Sequence, residues 1–127
     1  MEEQRVSLSA GEWRVMEVLW AGPKTLMELV RALGEDPGWA KSTVTTMVRR
    51  MEQKGLIAYT TEGRTKVFRA ALAREDAAAA ETDSLLKRAY HDSVGLLVSA
   101  LVERNDLSKS DIDDLYAILR RAEEEER

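Results

Sequence analysis

The stretch Ala40-Lys41-Ser42-Thr43-Val44-Thr45-Thr46-Met47-Val48-Arg49-Arg50-Met51-Glu52-Gln53-Lys54, closed by Gly55, decides the fold. Val44, Met47, Val48 and Met51 stand at i, i+3, i+4 and i+7, the apolar stripe of a helix laid on a core. With Thr43 at 0° and about 100° per residue, the stripe centres near 90°. The opposite face carries Ser42, Thr46, Arg49 and Gln53, flanked by Thr45 on one edge and by Thr43 and Arg50 on the other. The one acidic residue near that face is Glu52, at its margin. A helix over about 40–54 therefore has one side for packing and one side of hydroxyls, amides and guanidiniums.

On either side of this helix the signals are equally local. Ser9-Ala10-Gly11-Glu12 and Thr25-Leu26-Met27-Glu28 are capping boxes, in which a hydroxyl and a glutamate each satisfy a backbone N–H at a helix start. The first opens a helix with Trp13, Met16, Leu19 and Trp20 on one face, widened by Val15 and Val18, and stopped by Gly22-Pro23. The second opens a helix with the stripe Leu26, Leu29, Val30 and Leu33, for which Gly34 is the expected stop. Residues 56–60 and 65–70 are rich in strand formers around Gly63, which predicts a β-hairpin. The order helix, helix, helix, hairpin is that of a winged helix-turn-helix over residues 1–71. Residues 72–127 read as three more helices: one over about 72–91, one carrying Val94, Leu97, Val98 and Leu101, and one capped by Ser108 and carrying Ile112, Leu115, Tyr116 and Leu119. The Glu123–Glu126 run opposes the helix dipole, so fraying is expected there. The predicted class is mainly α with a small hairpin and a C-terminal helical region.

Charge is divided along the chain. Its 127 residues hold 19 basic and 23 acidic side chains, a net of -4, and a pI of 5.1 argues against nucleic acid when taken as an average. Within 41–69, however, Lys41, Arg49, Arg50, Lys54, Arg64, Lys66 and Arg69 face only Glu52 and Glu62. A basic island thus lies inside an acidic protein. No apolar run is long enough to span a membrane, the acidic first residues lack the apolar core of a secretory signal, and the absence of cysteine removes disulfides and thiol chemistry. These features fit a cytoplasmic protein.

Position and residue type point to DNA. Lys41, Ser42, Thr43, Thr45, Thr46, Arg49 and Arg50 are expected to enter the major groove. Hydroxyls bond base edges or phosphates there, and arginine pairs with guanine through two hydrogen bonds. Arg64 and Lys66 on the wing are expected to touch the flanking backbone. The alternative is a winged helix that contacts only protein. The tail has more apolar face than a small domain can cover, which predicts a homodimer through Leu85, Leu86, Tyr90, Val94, Leu97, Val98, Leu101, Ile112, Leu115 and Leu119. Folding back into one monomeric core is the competing arrangement. Nothing in the pattern supports an enzyme, a cofactor or a metal site: His91 stands alone on a predicted helix, and the seven glycines form no phosphate-cradling loop.

These residues resemble the penicillinase and methicillin-resistance repressors and their copper-responsive relatives. Leu8-Ser9-Ala10-Gly11-Glu12-Trp13-Arg14-Val15-Met16 with Val18-Leu19-Trp20 is similar to that family's opening, Trp39 to Met51 to its reading helix, Lys54-Gly55-Leu56-Ile57 to the exit into the wing, and Val102 to Ser108 to the stretch before the last helix. The resemblance implies a homodimeric repressor on a palindromic operator, with Thr43, Thr46 and Arg50 at DNA-reading positions, released by a membrane-bound sensor protease that responds to β-lactam. The chain departs from the family at three places. Ala40 replaces the usual capping serine, Ala100-Leu101 stands where the family has its scissile Asn-Phe pair, and the copper branch's paired cysteines are missing.

Overall fold

A computed structural model describes residues 7–104 and 107–126. The acidic first residues and the Asn105-Asp106 part of the stretch before the last helix lie outside them. The elements are α1 (Ala10–Trp20), β1 (Lys24–Thr25), α2 (Leu26–Glu35), α3 (Lys41–Gln53), β2 (Ile57–Glu62), β3 (Thr65–Ala70), α4 (Arg74–Ala89), α5 (Val94–Glu103) and α6 (Lys109–Glu125). They form two compact units, Met1–Ser84 and Leu85–Arg127. The division falls inside α4: Ala77 and Ala80 in its first half are buried, whereas no residue of α5 or α6 is.

The predicted stripes build the core of the first unit. Val15 and Met16 of α1, Leu29 and Leu33 of α2, and Val44, Val48 and Met51 of α3 are buried together with Leu8, Leu56, Ile57 and Phe68. Val15, expected only to widen the α1 face, is fully enclosed. Both capping boxes form as read, with Ser9 Oγ accepting from the Glu12 N–H and Thr25 Oγ1 from the Glu28 N–H, each at 3.2 Å. At the end of α3 the Leu56 N–H bonds the Met51 carbonyl and the Gly55 N–H bonds that of Glu52, both at 3.0 Å. Gly55 supplies the φ of +80° that this helix stop requires.

The structure extends one expectation, the hairpin, and corrects three. Gly34 does not stop α2, which continues to Glu35. The break comes at Asp36, extended at φ -151°, where the following proline disfavours helical backbone. The hairpin is part of a three-stranded antiparallel sheet of order β1-β3-β2, with Lys24 opposite Phe68 and Thr25 opposite Val67; two residues are too short a run for an alternation signal. His91 is not on a helix. It sits with Asp92 in the left-handed turn between α4 and α5, at φ 50° and 62°, a conformation that histidine and aspartate tolerate better than most residues. The acidic end of α6 stays helical to Glu125, since the arginine, alanine and glutamates from Arg120 onward are strong helix formers.

The start of α4 is tied to α1 through one tryptophan. The Trp20 indole N–H donates to the Leu72 carbonyl at 2.8 Å. Arg74 lies over the Trp20 ring at 4.6 Å and donates to both carboxylate oxygens of Glu17 at 2.8 Å. This planar two-pronged pairing is the geometry that favours arginine over lysine.

Glu12 holds α1 and α3 together. One carboxylate oxygen accepts from the Ser9 N–H at 2.9 Å and the other from Lys54 Nζ at 2.7 Å. Burial pushes its pKa up, but the Lys54 hydrogen bond, the Ser9 N–H and the lysine charge outweigh burial and leave it below the ordinary 4.5. The folded protein therefore releases this proton more readily than the unfolded chain. The resulting stability is present above about pH 4.5 and disappears as the pH falls through the folded value. In urea titrations Glu12→Gln, which can still cap the helix, is expected to cost about 1–2 kcal/mol, and Glu12→Ala about 2–3 kcal/mol. Glu12→Gln also makes the acid limb of the stability profile shallower. Ala40 has extended N-cap geometry (φ -68°, ψ 154°) but gives α3 no side-chain cap. Ala40→Ser is accordingly expected to raise stability by about 0.5–1 kcal/mol, read as a higher urea midpoint at unchanged slope.

Candidate nucleic-acid interface

Burial divides α3 as its sequence predicts. Val44, Val48 and Met51 face the core, while Lys41, Ser42, Thr43, Thr45, Arg49 and Arg50 are exposed and Thr46 is half-buried. A continuous polar and basic face is thereby presented outward along a helix of 13 residues. Without a cap, the first-turn N–H groups of α3 receive no side-chain acceptor, which leaves donors of the kind that bind phosphate oxygens.

The wing is short and anchored at its base. Ile57 and Phe68 are buried, and the strands run outward to Glu62 and Thr65, which pair across the two-residue turn Gly63-Arg64. Gly63, at φ +64°, meets the need for glycine at the first position of a tight hairpin turn. Arg64 is thus carried at the tip. Lys66 shares a face with Tyr59 and Phe68: its ammonium lies 4.3 Å from the centre of the Tyr59 ring, which in turn packs on Phe68 with ring centres 5.8 Å apart. Cation–π contact of this kind holds a lysine without neutralising it.

The two elements meet along a groove. Thr45 and Arg49 from α3 and Arg64, Thr65 and Lys66 from the wing line it together with Thr25, Leu26 and Met27 from the start of α2. The structure therefore gathers Thr45, Arg49, Arg64 and Lys66 around one concavity. Lys41, Ser42, Thr43, Thr46 and Arg50 lie along α3 outside its lining. Among the described residues, Lys41, Arg49, Arg50, Arg64 and Lys66 have no acidic partner.

Three features escape a reading by residue type. Lys54, counted in the basic island, is paired with Glu12 and contributes little free charge. The Thr45 hydroxyl donates to the Lys41 carbonyl at 2.9 Å, so it faces outward as an acceptor only. Arg69 donates to Thr60 Oγ1 at 2.9 Å, across the wing strands. The Lys54 and Arg69 contacts depend on which side chains the fold brings together, while the Thr45 bond is the local contact a helical threonine makes with the carbonyl four residues earlier.

In the second unit the predicted assembly residues are open to various degrees. Val94 and Leu119 are 62% and 60% exposed, Leu85 and Ile112 are also exposed, and Leu86, Tyr90, Leu97, Val98, Leu101 and Leu115 are half-buried. Leu96, Val102, Tyr116 and Ile118, which were not singled out for the interface, are exposed as well. Among the described residues no helix is long and apolar enough to cross a membrane.

Comparison with known proteins agrees with this geometry. The profile of the penicillinase repressor family matches residues 8–121. The penicillinase repressor of Bacillus licheniformis is 29% identical over 113 residues, 88% of this chain and 88% of that protein. The methicillin resistance regulatory protein MecI of Staphylococcus aureus is 22% identical over 120 residues, 94% of this chain and 98% of that protein. Among solved structures, the DNA-binding domain of the repressor BlaI superposes with a TM-score of 0.52 at 26% identity, covering 59% of this chain and 93% of that one. The monomeric form of Bacillus licheniformis BlaI in complex with the blaP half-operator does so with a TM-score of 0.51 at 27% identity, covering 57% and 90%. Since the match takes in α1 to α3, the wing and most of the helical tail, the chain is a member of the penicillinase repressor family.

Proposed function

We propose that this protein is a homodimeric, sequence-specific DNA-binding transcriptional repressor of the cytoplasm, acting on a palindromic operator. The observation that carries the reading is the convergence of unpaired cations from α3 and the wing, Arg49, Arg64 and Lys66, beside an outward α3 face of small hydroxyls. Small side chains let a helix sit deep in the major groove, and cations on both sides of it meet the phosphates. Thr43, Thr46 and Arg50 read bases; Lys41, Ser42, Thr45 and Arg49 contribute from the same face; Arg64 and Lys66 hold the backbone. The family match and the half-operator complex of a relative support this reading. The apolar surface of α4 to α6 supports the dimer, in which two reading helices meet two half-sites. By resemblance, a membrane-bound sensor protease is the partner that ends repression, although Ala100-Leu101, inside α5, replaces the scissile pair of the family.

A gel-shift titration at two salt concentrations against the upstream region of its own gene tests the reading. Affinity is expected to fall steeply with salt, and Thr46→Ala and Arg50→Ala each to weaken specific binding by about 1–3 kcal/mol. Lys66→Gln is expected to reduce the salt slope by about one, whereas Lys54→Gln leaves it unchanged because Glu12 already neutralises that lysine. Binding indifferent to salt and to both α3 substitutions would instead mark a module for protein contacts. Light scattering of the full chain is expected to give twice the 14.3 kDa chain mass; a monomer at micromolar concentration contradicts the dimer.

A further inference from the structure

We propose that the groove between α3 and the wing also binds a small organic anion with an apolar body, and that this ligand and DNA exclude each other. The concavity measures about 670 Å³, the size of a small-molecule site. Its lining is amphipathic. Leu26, Met27, Val48 and Phe68 provide apolar surface, and Arg49, Arg64 and Lys66 provide three cations against the one carboxylate of Glu52. Met27 is 54% exposed, a flexible and polarisable side chain in the first turn of α2 that adapts to an apolar surface laid on it.

Charge and surface together choose the ligand class. Sulfate or phosphate alone satisfies the cations and leaves the Met27 side wet. A neutral hydrocarbon covers Met27 and strips water from cations it cannot pair, which is costly. A carboxylate or similar anion on an aromatic or aliphatic body satisfies both. It also takes Arg49, Arg64 and Lys66, the cations assigned above to DNA. The exclusion of DNA rests on that assignment; ligand binding by itself does not.

The probe is 2-naphthoate, titrated into the full chain labelled at its methionine methyls. The Met27 resonance is expected to shift and saturate, while those of buried Met16 and Met51 stay in place. The neutral 2-naphthamide, and 2-naphthoate against the Arg64→Gln/Lys66→Gln variant, are expected to bind at least about tenfold more weakly. Sulfate at matched ionic strength is expected to leave Met27 unmoved. Met27→Glu is expected to weaken binding of the probe, followed by its intrinsic fluorescence; unchanged Met16 and Met51 resonances in that variant show an intact fold. The absence of a saturable Met27 shift, or equal binding of acid and amide, overturns the site. A labelled DNA duplex that the chain binds is expected to be released as the groove fills. Saturation of Met27 without release overturns the exclusion. A chain that takes up the probe but binds no DNA overturns the repressor reading and leaves the anion site standing.

Discussion

A single buried carboxylate positions the surface on which the rest depends. Glu12 is 6% exposed and has both oxygens engaged, one closing the first turn of α1 and the other holding Lys54 at the end of α3. A buried charge is tolerated only when it is paired and hydrogen-bonded, so this contact is directional in a way that Val44, Val48 and Met51 are not. Apolar packing sets how close α3 lies to the core, and the Glu12–Lys54 pair fixes where its end is held. The outer face of α3 is thereby aimed by contacts on its inner side.

The same pair alters the meaning of the charge map. A count along residues 41–69 treats seven cations as equal. In the folded protein Lys54 is neutralised by a residue 42 positions away, whereas Arg69, bonded to the neutral Thr60 hydroxyl, and Lys66, resting on an aromatic ring, keep their charge. The free positive charge thus lies on the outer face of α3 and along the wing. It is narrower than the sequence count suggests and better suited to a phosphate backbone.

The two units differ in how they satisfy their apolar residues. The first encloses its stripes around one core, sealed at the α1–α4 junction by the Trp20, Arg74 and Glu17 contacts. In the second, helices with apolar stripes just as regular remain exposed or half-buried along α5 and α6. An amphipathic helix is stabilised mostly by what covers its face, which is why the proposed function gives this surface to a second copy.

The sequence by itself determined the elements whose cause is local. Both capping boxes, the Val44-to-Met51 stripe, the Gly55 stop and the Gly63 turn follow from residue spacing and backbone preference, and the structure shows each of them. The residues of the α3 face were legible for the same reason, since helical periodicity places them opposite the buried stripe. Contacts between elements were decided by the tertiary structure: the β1 strand, the Lys54 pair, the Tyr59 platform under Lys66 and the groove that joins Arg49 to Arg64. The extension of α2 past Gly34 shows two local signals in competition: glycine permits a helix end, and the helix runs on to the residue before Asp36, where the following proline disfavours helical backbone. Periodicity tells each residue which side of its own element it occupies. Only the packed chain decides which side chain from elsewhere will meet it there.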